Sequence, residues 1–335
     1  MPNQAVVFPE PRTVILEDRE RPEPNADEVL IETKRTLIST GTELTILSGE
    51  FPDGSFWDDY GQFPFVSGYS NVGEVIEAGP EAVFEEGTIV ASRGPHQQYV
   101  TASADRATAV PDGVPAEEAT FFALAAITMN GVRQGDVEWG DAVAIYGLGL
   151  LGQLATRWCR FAGARPVVTF EIAPERLAYL PDDRTGIVTA NPRTEDAAGI
   201  VAERNRGRLA DVVFEVTGLP DVIPGQFDVL RQQGRMVVLS SPRGRTTLDL
   251  HDHCNGPGYE IVGAHERTHP PESTYRDPWN HGRHHELFFD LLDRGEVEVG
   301  SLISHRVPYE EAPETFENLL QDRSEAMGVV IEWDP

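Results

Sequence analysis

The sequence predicts an α/β protein of two domains, in which an antiparallel β domain precedes a doubly wound parallel sheet. Short β-rich segments bounded by Pro, Gly, Asn or Asp fill the chain before Pro111, whereas strands alternate with helices after it. The chain has 335 residues, and this length suits two domains of about 100–200 residues each.

The N-terminal strands are predicted from β-branched and aromatic residues that lie between turn formers. Pro9, Pro11, Pro22 and Pro24 punctuate this part, as edge strands and loops allow. We expect these strands to form a partly closed antiparallel barrel. They are Ala5–Phe8, Thr13–Glu17, Glu28–Thr33, Gly73–Ala78 and Thr88–Ala91.

The remainder of the chain alternates strands with helices, which implies parallel pairing. A helix is predicted over Ala116–Arg133, because Glu117 and Glu118 in its first turn favour the helix dipole. Further strands are predicted at Ala142–Tyr146, Pro166–Glu171, Asp211–Val216 and Arg235–Ser240, with a helix at Leu150–Ala162. The tail is predicted to hold an amphipathic segment Glu286–Arg294, strands at Leu302–Val307 and Gly328–Trp333, and a helix at Tyr309–Asp322.

The composition excludes several classes of protein. Hydrophobic residues make up 40% of the chain, enough for real cores, so a disordered chain is excluded. No apolar run approaches the ~20 residues of a membrane span, and the N-terminus lacks the pattern of a secretory signal. Cys159 and Cys254 are too few for a disulfide scaffold or a four-cysteine zinc site. A cytoplasmic protein is expected.

The charge balance is strongly acidic. Fifty-five Asp and Glu against 27 Lys and Arg give a formal net charge of −28, and Lys34 is the one lysine. Self-repulsion at such a charge destabilises a compact state in dilute buffer, but molar salt shortens the Debye length to about 3 Å. This favours a halophilic source over an ordinary acidic protein. Without a basic footprint, neither nucleic acid nor an anionic membrane is an expected partner.

A dinucleotide-binding motif follows the strand Ala142–Tyr146. Gly147, Gly149 and Gly152 form G-x-G-x-x-G between this strand and a helix, which is the context that the motif requires. The first glycine permits the tight turn, the second lets the backbone approach a pyrophosphate, and the third lets the helix pack on the strand. The helix N-terminus then offers N–H groups and a positive dipole to the phosphates.

An acid ends the next strand at the place expected for ribose binding. Glu171 lies 19 residues after Gly152 (171 − 152), and a carboxylate there accepts hydrogen bonds from ribose hydroxyls and repels a 2′-phosphate. NAD is therefore expected over NADP, although Arg176 lies close enough to complicate the choice. The predicted cofactor-binding residues are Gly147, Gly149, Leu150, Leu151, Gly152, Glu171, Arg176, Thr217, Gly218 and Ser240.

Together these features resemble the medium-chain dehydrogenase/reductase family over nearly the whole chain. The resemblance implies a GroES-like catalytic domain over 1–123 and 267–335 and a Rossmann domain over 124–266. It also implies hydride transfer between nicotinamide and an alcohol or carbonyl carbon, and a homodimer or homotetramer. Besides the glycine motif, the matching pieces are Leu-Ile-Ser-Thr-Gly-Thr-Glu at 37–43, Gly-Tyr-Ser at 68–70, Val-Gly-Glu-Val at 72–75, Glu-Val-Thr-Gly at 215–218 and Gly-Arg-Met-Val-Val at 234–238.

The chain departs from the zinc alcohol dehydrogenases of that family at the metal ligands. Thr40 stands where the ligand cysteine stands in the family, and Tyr69 where the ligand histidine stands. Near the third ligand the chain reads Ala-Leu-Ala-Ala at 123–126, and the lobe with four cysteines is missing. Because zinc binds thiolate, imidazole or carboxylate, a zinc-free branch of the family is expected.

Without zinc, hydrogen-bond donors must stabilise a developing alkoxide. Tyr69 is the first candidate, because a phenol can donate to a carbonyl and accept a proton from an alcohol; alternatively, it only fills the vacated metal pocket. By resemblance, Thr42 matches a relay hydroxyl, and Glu43 matches an acidic residue that supports the substrate pocket. The predicted catalytic residues are Tyr69, Thr42, Thr40 and Ser70.

The segment Phe51–Phe65 is rich in aromatic residues. Either it is a lid, in which Trp57 stacks on a sugar face within the substrate pocket, or it is a packed Ω-loop. The histidines fall into two groups without the spacing of a metal site, so a solvated surface is expected for both. These groups are His251 with His253, and His281 with His284 and His285.

Three functions fit the sequence. The leading hypothesis is a zinc-independent, NAD-linked dehydrogenase of a secondary alcohol, with a polyol or sugar-like substrate inferred from the hydroxyl-rich pocket. The second is an NAD(P)H-dependent quinone or enoyl-type C=C reductase, against which Glu171 argues because such enzymes usually prefer NADPH. The third is a non-catalytic dinucleotide-binding protein, which predicts cofactor binding without turnover.

Overall fold

The computed structural model describes residues 3–334 and divides them into two compact units. The first, called here the β unit, comprises residues 3–123 and 281–334; the second, the α/β unit, comprises residues 124–280. The predicted fold class is confirmed, because the sheets of the β unit are mainly antiparallel and the sheet of the α/β unit is wholly parallel. Within residues 3–334, no helix combines the length and the apolar character that crossing a membrane requires.

Each strand predicted before Pro111 is present in the β unit, and the strand that begins at Glu28 continues five residues beyond its predicted end at Thr33 (38 − 33). Several short elements were not predicted, among them those at 42–48, 65–66, 99–103 and 107–109. The elements are β1 (Asn3–Phe8), β2 (Ile15–Arg19), β3 (Glu28–Ile38), α1 (Thr42–Ser48), α2 (Phe56–Tyr60), β4 (Phe65–Val66), β5 (Asn71–Ala78), β6 (Ile89–Ser92), β7 (Tyr99–Ser103), β8 (Ala107–Ala109) and α3 (Ala116–Ala119).

The helix predicted over Ala116–Arg133 is divided into α3 and a second helix that begins at Phe122. Thr120 ends α3 and donates its hydroxyl to the carbonyl of Glu117 at 2.6 Å, a back-bond that bends or interrupts a helix. The elements from here to the end of the α/β unit are α4 (Phe122–Gln134), β9 (Val143–Tyr146), α5 (Leu150–Phe161), β10 (Val167–Phe170), β11 (Ile187–Ala190), α6 (Ala197–Arg204), β12 (Ala210–Glu215), α7 (Ile223–Gln226), β13 (Leu230–Val238) and β14 (Glu260–Gly263).

The six strands of the α/β unit follow the order β11-β10-β9-β12-β13-β14. This is the doubly wound order of dinucleotide-binding sheets, and ligands bind beyond the carboxyl ends of its strands. Phe170 and Glu215 lie opposite Tyr146, so β9, β10 and β12 end at the same edge of the sheet. That edge carries the candidate cofactor residues.

The chain returns to the β unit after residue 280 with four elements. The strand at 328–332 pairs antiparallel with β3 and parallel with the strand at 303–308, so the β unit also contains one parallel pair. A core that includes Phe8, Leu47 and Phe316 lies beneath α1 and the helix at 312–321. The four elements are α8 (His281–Asp293), β15 (Ile303–Pro308), α9 (Ala312–Gln321) and β16 (Gly328–Glu332).

Residues 267–280 pack within the α/β unit, whereas the resemblance assigned them to the catalytic domain. Asn130 on α4 donates its side-chain amide to the hydroxyl of Thr268 at 2.9 Å. The guanidinium of Arg133 lies 3.4 Å above the ring of Trp279. Both contacts attach this segment to α4.

Candidate active site

The glycine turn joins β9 to α5. Gly147 has φ +98°, a left-handed conformation that favours glycine. A Cβ on Gly152 would lie 1.9 Å from the carbonyl oxygen of Gly147, whereas a Cβ on Gly149 would meet no atom of the described residues within 4 Å, its chain neighbours aside. The turn is therefore closely packed at Gly152 and open at Gly149. Leu150 and Leu151 place their backbone N–H groups in the first turn of α5.

The carboxylate of Glu171 lies against this turn. Its Oε2 accepts the N–H of Leu148 at 2.7 Å, and its Oε1 accepts those of Ile172 and Ala173 at 2.8 and 3.0 Å. Nη1 of Arg176 lies 3.4 Å from Oε2. A carboxylate has about four acceptor positions. The Arg176 contact is the longest of the four, so it is the contact that a ribose hydroxyl would replace at least cost.

Glu215 at the end of β12 organises the turn that follows. Its buried Oε1 accepts the N–H and the hydroxyl of Thr217 at 2.7 and 2.5 Å, and the N–H of Gly218 at 3.0 Å. Its Oε2 accepts the hydroxyl of Ser240. Three predicted cofactor residues are thus brought together by a carboxylate to which the sequence analysis gave no role.

In the β unit, Tyr69 lies between β4 and β5. Its hydroxyl donates to Oγ of Ser39 at 2.6 Å. Ser39 directly follows β3 and is buried, whereas Tyr69 is half-buried. A phenol that donates its hydrogen can still accept a hydrogen bond at its oxygen. The geometry is therefore compatible with proton exchange between Tyr69 and a substrate oxygen.

Glu43 on α1 is buried behind Ser39. Its Oε1 accepts the N–H of Ser39 at 2.7 Å, and its Oε2 accepts the hydroxyl of Ser67 at 2.5 Å. The same Oε2 lies 2.8 Å from Nε2 of His96. Glu43 is 1% exposed, too deep to contact a substrate, so it does not line the substrate pocket and is left with the supporting position that the resemblance implied. Its contacts are with the segments that carry Ser39 and Tyr69.

His96 is the member of this network that sequence reasoning missed. It is fully buried, and its backbone N–H donates to the carbonyl of Ser67 at 2.7 Å. Its partners Glu43 and Ser67 lie 53 and 29 positions earlier in the chain (96 − 43 and 96 − 67). No local pattern marks such a contact, because only the fold brings these loops together.

The other predicted catalytic residues lie in different settings. The hydroxyl of Ser70 is buried and donates to the carbonyl of Thr120 at 2.7 Å, which argues against a catalytic Ser70. The carbonyl of Thr40 accepts Nη1 of Arg323 at 2.7 Å. Thr42 is the first residue of α1, and the side chains of Thr40 and Thr42 are half-buried.

The aromatic segment forms α2, and Trp57 packs into the core of the β unit. Trp57 is 6% exposed and belongs to the cluster that contains Phe8 and Leu47. It therefore offers no ring face to a sugar, and its assignment to the substrate pocket is corrected in favour of the packed alternative. Phe56 and Tyr60 stack on each other with their centroids 5.5 Å apart, at the surface of the same helix.

The positions that match metal ligands do not suit zinc. Thr40 and Tyr69 offer neutral hydroxyl groups, and Ala123, Ala125 and Ala126 are fully buried without donor atoms. Over residues 3–334, no cluster of three or more His, Cys, Asp or Glu is arranged to hold a metal ion. The donor set therefore lacks the thiolate, imidazole or carboxylate ligands that zinc requires.

The two histidine groups differ in burial. His251 is exposed as expected and pairs with Asp252. The expectation is wrong for His284 and His285, which are buried on α8. The ring of His285 packs edge-on against Phe122 with centroids 4.8 Å apart, because the amphipathic α8 turns this face to the core.

Comparison with known proteins extends this picture. Residues 151–275 match the family model described as zinc-binding dehydrogenase. L-threonine 3-dehydrogenase of Shewanella woodyi is 24% identical over 353 residues, which cover 95% of each chain. An oxidoreductase/dehydrogenase of unknown specificity from Escherichia coli has a TM-score of 0.84 at 19% identity over 100% of both chains. For 2R,3R-butanediol dehydrogenase of Bacillus subtilis the TM-score is 0.81 at 19% identity, over 99% of this chain and 100% of that one.

The structural matches confirm a GroES-like domain combined with a Rossmann domain. The matches together support an enzyme of the alcohol dehydrogenase/reductase type, with residues 151–275 similar to zinc-binding dehydrogenases. The family model covers residues of the α/β unit alone. It therefore leaves the metal-ligand positions of the β unit to be judged by their own donor atoms.

Proposed function

We propose that this alcohol dehydrogenase/reductase uses NAD to interconvert a secondary alcohol and its carbonyl compound, without a catalytic zinc ion. The observation that carries the proposal is the open glycine turn with the carboxylate of Glu171 set against it. The absence of zinc ligands at Thr40 and Tyr69 supports the metal-free part of the proposal.

The residues of the α/β unit fit a dinucleotide. The backbone at Gly149 has room for a pyrophosphate, and the N-terminus of α5 supplies N–H groups and a positive dipole end. Thr217, Gly218 and Ser240, which Glu215 fixes, follow the carboxyl ends of β12 and β13. When bound, the cofactor accepts or supplies the hydride.

Glu171 supports NAD over NADP. Its carboxylate would accept hydrogen bonds from the ribose hydroxyls and would repel a 2′-phosphate. The cation beside this carboxylate is Arg176, whose Nη1 lies 3.4 Å from Oε2 of Glu171. Because Glu171 already engages Arg176, the arginine is less available to attract a phosphate.

Tyr69 is the group proposed to exchange a proton with the substrate oxygen. In reduction the Tyr69 hydrogen, which otherwise points to Ser39, passes to the carbonyl oxygen and leaves a phenolate that accepts the Ser39 hydroxyl. In oxidation the phenolate form takes the proton of the alcohol and becomes the phenol again. A fixed donor at this place also stabilises developing negative charge on oxygen, which is the work that a metal ion would otherwise do. The bond to Ser39 limits the directions that the hydroxyl can adopt.

A polyol or sugar-like secondary alcohol is the proposed substrate class. The half-buried hydroxyl groups of Thr40, Thr42 and Tyr69 provide polar partners for such a molecule. Two similar proteins are named as dehydrogenases of L-threonine and of 2R,3R-butanediol, and both of these compounds are secondary alcohols. Because Trp57 is buried in the core, it cannot stack on a sugar, and within this structure the hydroxyl groups alone support a polyol or sugar-like substrate.

The first experiment measures reduced-nicotinamide absorbance after NAD and a pool of polyols and sugar alcohols are added to chelator-treated protein in molar KCl. A rising signal establishes a metal-independent alcohol dehydrogenase, and dividing the pool identifies the substrate. A flat trace from folded protein contradicts the proposal and directs the assay to NADPH with enones and quinones.

The variant Tyr69→Phe tests the proton-exchanging group. We expect kcat to fall by about 10²- to 10⁴-fold, with NADH affinity unchanged in a fluorescence titration. Tyr60→Phe, on the surface of α2, is the matched control and should keep full activity. Unchanged turnover in Tyr69→Phe would remove Tyr69 from the chemistry.

A further inference from the structure

We propose that His96 is a positioning residue for Tyr69, acting through Gly68 and through the carboxylate of Glu43. The inference rests on the proposed role of Tyr69. It concerns a residue that lies outside the motifs of the sequence.

The first argument is that His96 packs directly against Gly68, the residue before Tyr69. Gly68 has φ +99°, and a Cβ there would lie 2.5 Å from the backbone nitrogen of His96 and 2.7 Å from its Cγ. The backbone and the ring of His96 therefore pack on Gly68 without room for a side chain. The N–H of His96 also donates to the carbonyl of Ser67 at 2.7 Å. The loop of His96 thus fixes the path of residues 67 and 68 into Tyr69.

The second argument is that one carboxylate holds both ends of the Tyr69–Ser39 hydrogen bond. Oε2 of Glu43 accepts the hydroxyl of Ser67 and meets Nε2 of His96, which fixes the segment that leads to Tyr69. Oε1 of Glu43 accepts the N–H of Ser39, which fixes the acceptor of the Tyr69 hydroxyl. Removing the imidazole would leave a buried carboxylate with two donors instead of three, and the three segments would lose a common anchor.

The chemistry of the imidazole supports a polar role rather than simple filling. A carboxylate only accepts, so Nε2 of His96 carries the hydrogen that points at Glu43. Nδ1 of His96 is buried and finds no hydrogen-bond partner within residues 3–334. A side chain chosen only to fill this space beside Phe316 would not leave a polar atom unsatisfied. The contact with Glu43 is therefore the reason for a histidine here.

The test observes Tyr69 directly in the full chain, without cofactor, in molar KCl. Protein labelled with ¹³C at the tyrosine Cζ atoms gives one signal for each of eight tyrosines, and the signal missing from Tyr69→Phe belongs to Tyr69. Ser39→Ala supplies the shift that follows loss of the hydrogen bond. We expect His96→Leu to move the Tyr69 signal toward that position, and His96→Gln, whose amide can donate to Glu43, to restore it at least in part.

The matched control is Thr36→Val. Thr36 is a buried residue of β3 whose hydroxyl accepts from Nε1 of Trp333 at 3.0 Å, so its loss should lower stability and leave the Tyr69 signal in place. An unmoved Tyr69 signal in folded His96→Leu overturns the positioning role. If His96→Leu does not fold, His96→Phe, which keeps a ring at this place and removes the donor to Glu43, takes its place with the same two outcomes.

A kinetic arm separates positioning from general destabilisation. With NAD and 2,3-butanediol, we expect His96→Leu to lower kcat by about 10- to 100-fold with little change in KM, as misplacement of a catalytic group does. In the Tyr69→Phe background the same change should have no further effect on kcat. An additive loss there would indicate a structural role and overturn the inference. Full turnover by Tyr69→Phe alone would instead refute the proposed function, and the NMR comparison would still decide whether His96 positions Tyr69.

Discussion

The two units each bury a glutamate at their candidate site, and the two glutamates find their partners in different ways. Glu215 in the α/β unit binds the turn directly after it and Ser240 on the next strand end. Glu43 in the β unit binds Ser67 and His96, 24 and 53 positions away. Within residues 3–334, three of the four hydrogen bonds to the Glu215 carboxylate thus come from the turn that follows it, whereas two of the three to the Glu43 carboxylate come from separate loops.

The largest expected effect tests whether the dinucleotide site is a matter of backbone geometry. In Gly152→Ala the new Cβ would lie 1.9 Å from the carbonyl oxygen of Gly147, so the turn must move. We expect NADH affinity to fall by about 100-fold or more, which corresponds to about 2.7 kcal/mol. Fluorescence titration measures it. The control is Gly225→Ala, whose Cβ would meet no atom of residues 3–334 within 4 Å, its chain neighbours and its own helix backbone aside. Normal affinity in Gly152→Ala would contradict the backbone account.

The second prediction compares the two buried carboxylates directly. In Glu43→Gln an amide faces Nε2 of His96. The ring must then move its hydrogen to Nδ1, which has no hydrogen-bond partner among residues 3–334, and we expect a loss of about 1–3 kcal/mol in the free energy of unfolding. In Glu215→Gln the amide faces the hydroxyl of Ser240, which can rotate to accept, so the loss should stay below about 1 kcal/mol.

Urea unfolding in molar KCl gives both values, with the exposed Glu85→Gln as the control. Equal losses in Glu43→Gln and Glu215→Gln would break the distinction between the two sites.

The third prediction concerns Glu171, which unlike Glu43 and Glu215 is expected to bind the cofactor directly. In Glu171→Ala the acceptor for the ribose hydroxyls is lost and Arg176 is released. We expect the ratio of NAD to NADP affinity to fall by about tenfold or more, since one charge-assisted hydrogen bond contributes about 1.5–3 kcal/mol. Parallel titrations with NADH and NADPH measure it. An unchanged ratio would show that Glu171 serves the turn alone.

The smallest expected effect concerns an ion pair near the surface of the β unit. Arg306 donates from Nε and Nη2 to the two carboxylate oxygens of Glu117 at 2.7 Å each, and these hydrogen bonds, as the largest cause, hold the pKa of Glu117 below its usual value. The side chains are 45% and 29% exposed, so we expect Arg306→Ala to cost less than about 1 kcal/mol in dilute salt and less still in molar KCl.

The sign of the pH dependence follows from the lowered pKa of Glu117. Its contribution to stability is present above the unfolded pKa of about 4.3 and disappears as the pH falls through the folded pKa. The difference in unfolding free energy between wild type and Arg306→Ala should therefore stay constant near neutral pH and shrink below about pH 4. A difference that grows on acidification would contradict this assignment.

Much of the fold followed from local pattern. The strands predicted at Ala142–Tyr146 and Pro166–Glu171 correspond to β9 and β10. β9 begins one residue later than predicted, and β10 is one residue shorter at each end. The prediction succeeded because buried parallel strands are short apolar runs bounded by turn formers. The pattern failed at Ala116–Arg133, where the hydroxyl of Thr120 interrupts a helix that propensity alone would continue.

The candidate site divides in the same way. The glycine turn and Glu171 were predicted because their residues stand at fixed spacings around one strand and one helix. Ser70 and Trp57 were misplaced because burial, not residue type, decides whether a hydroxyl or a ring is available. His96 gave no signal, since its role depends on a partner in another loop.

The sequence by itself determined the fold class and the dinucleotide turn, because glycine and strand periodicity act over a few neighbouring residues. It also identified the hydroxyl residues that stand at the metal-ligand positions of the family. Only the tertiary structure decided that Glu43 joins Ser39, Ser67 and His96 behind Tyr69. Hydrogen bonds between distant loops depend on where the sheet places their ends, and no spacing along the chain records that distance.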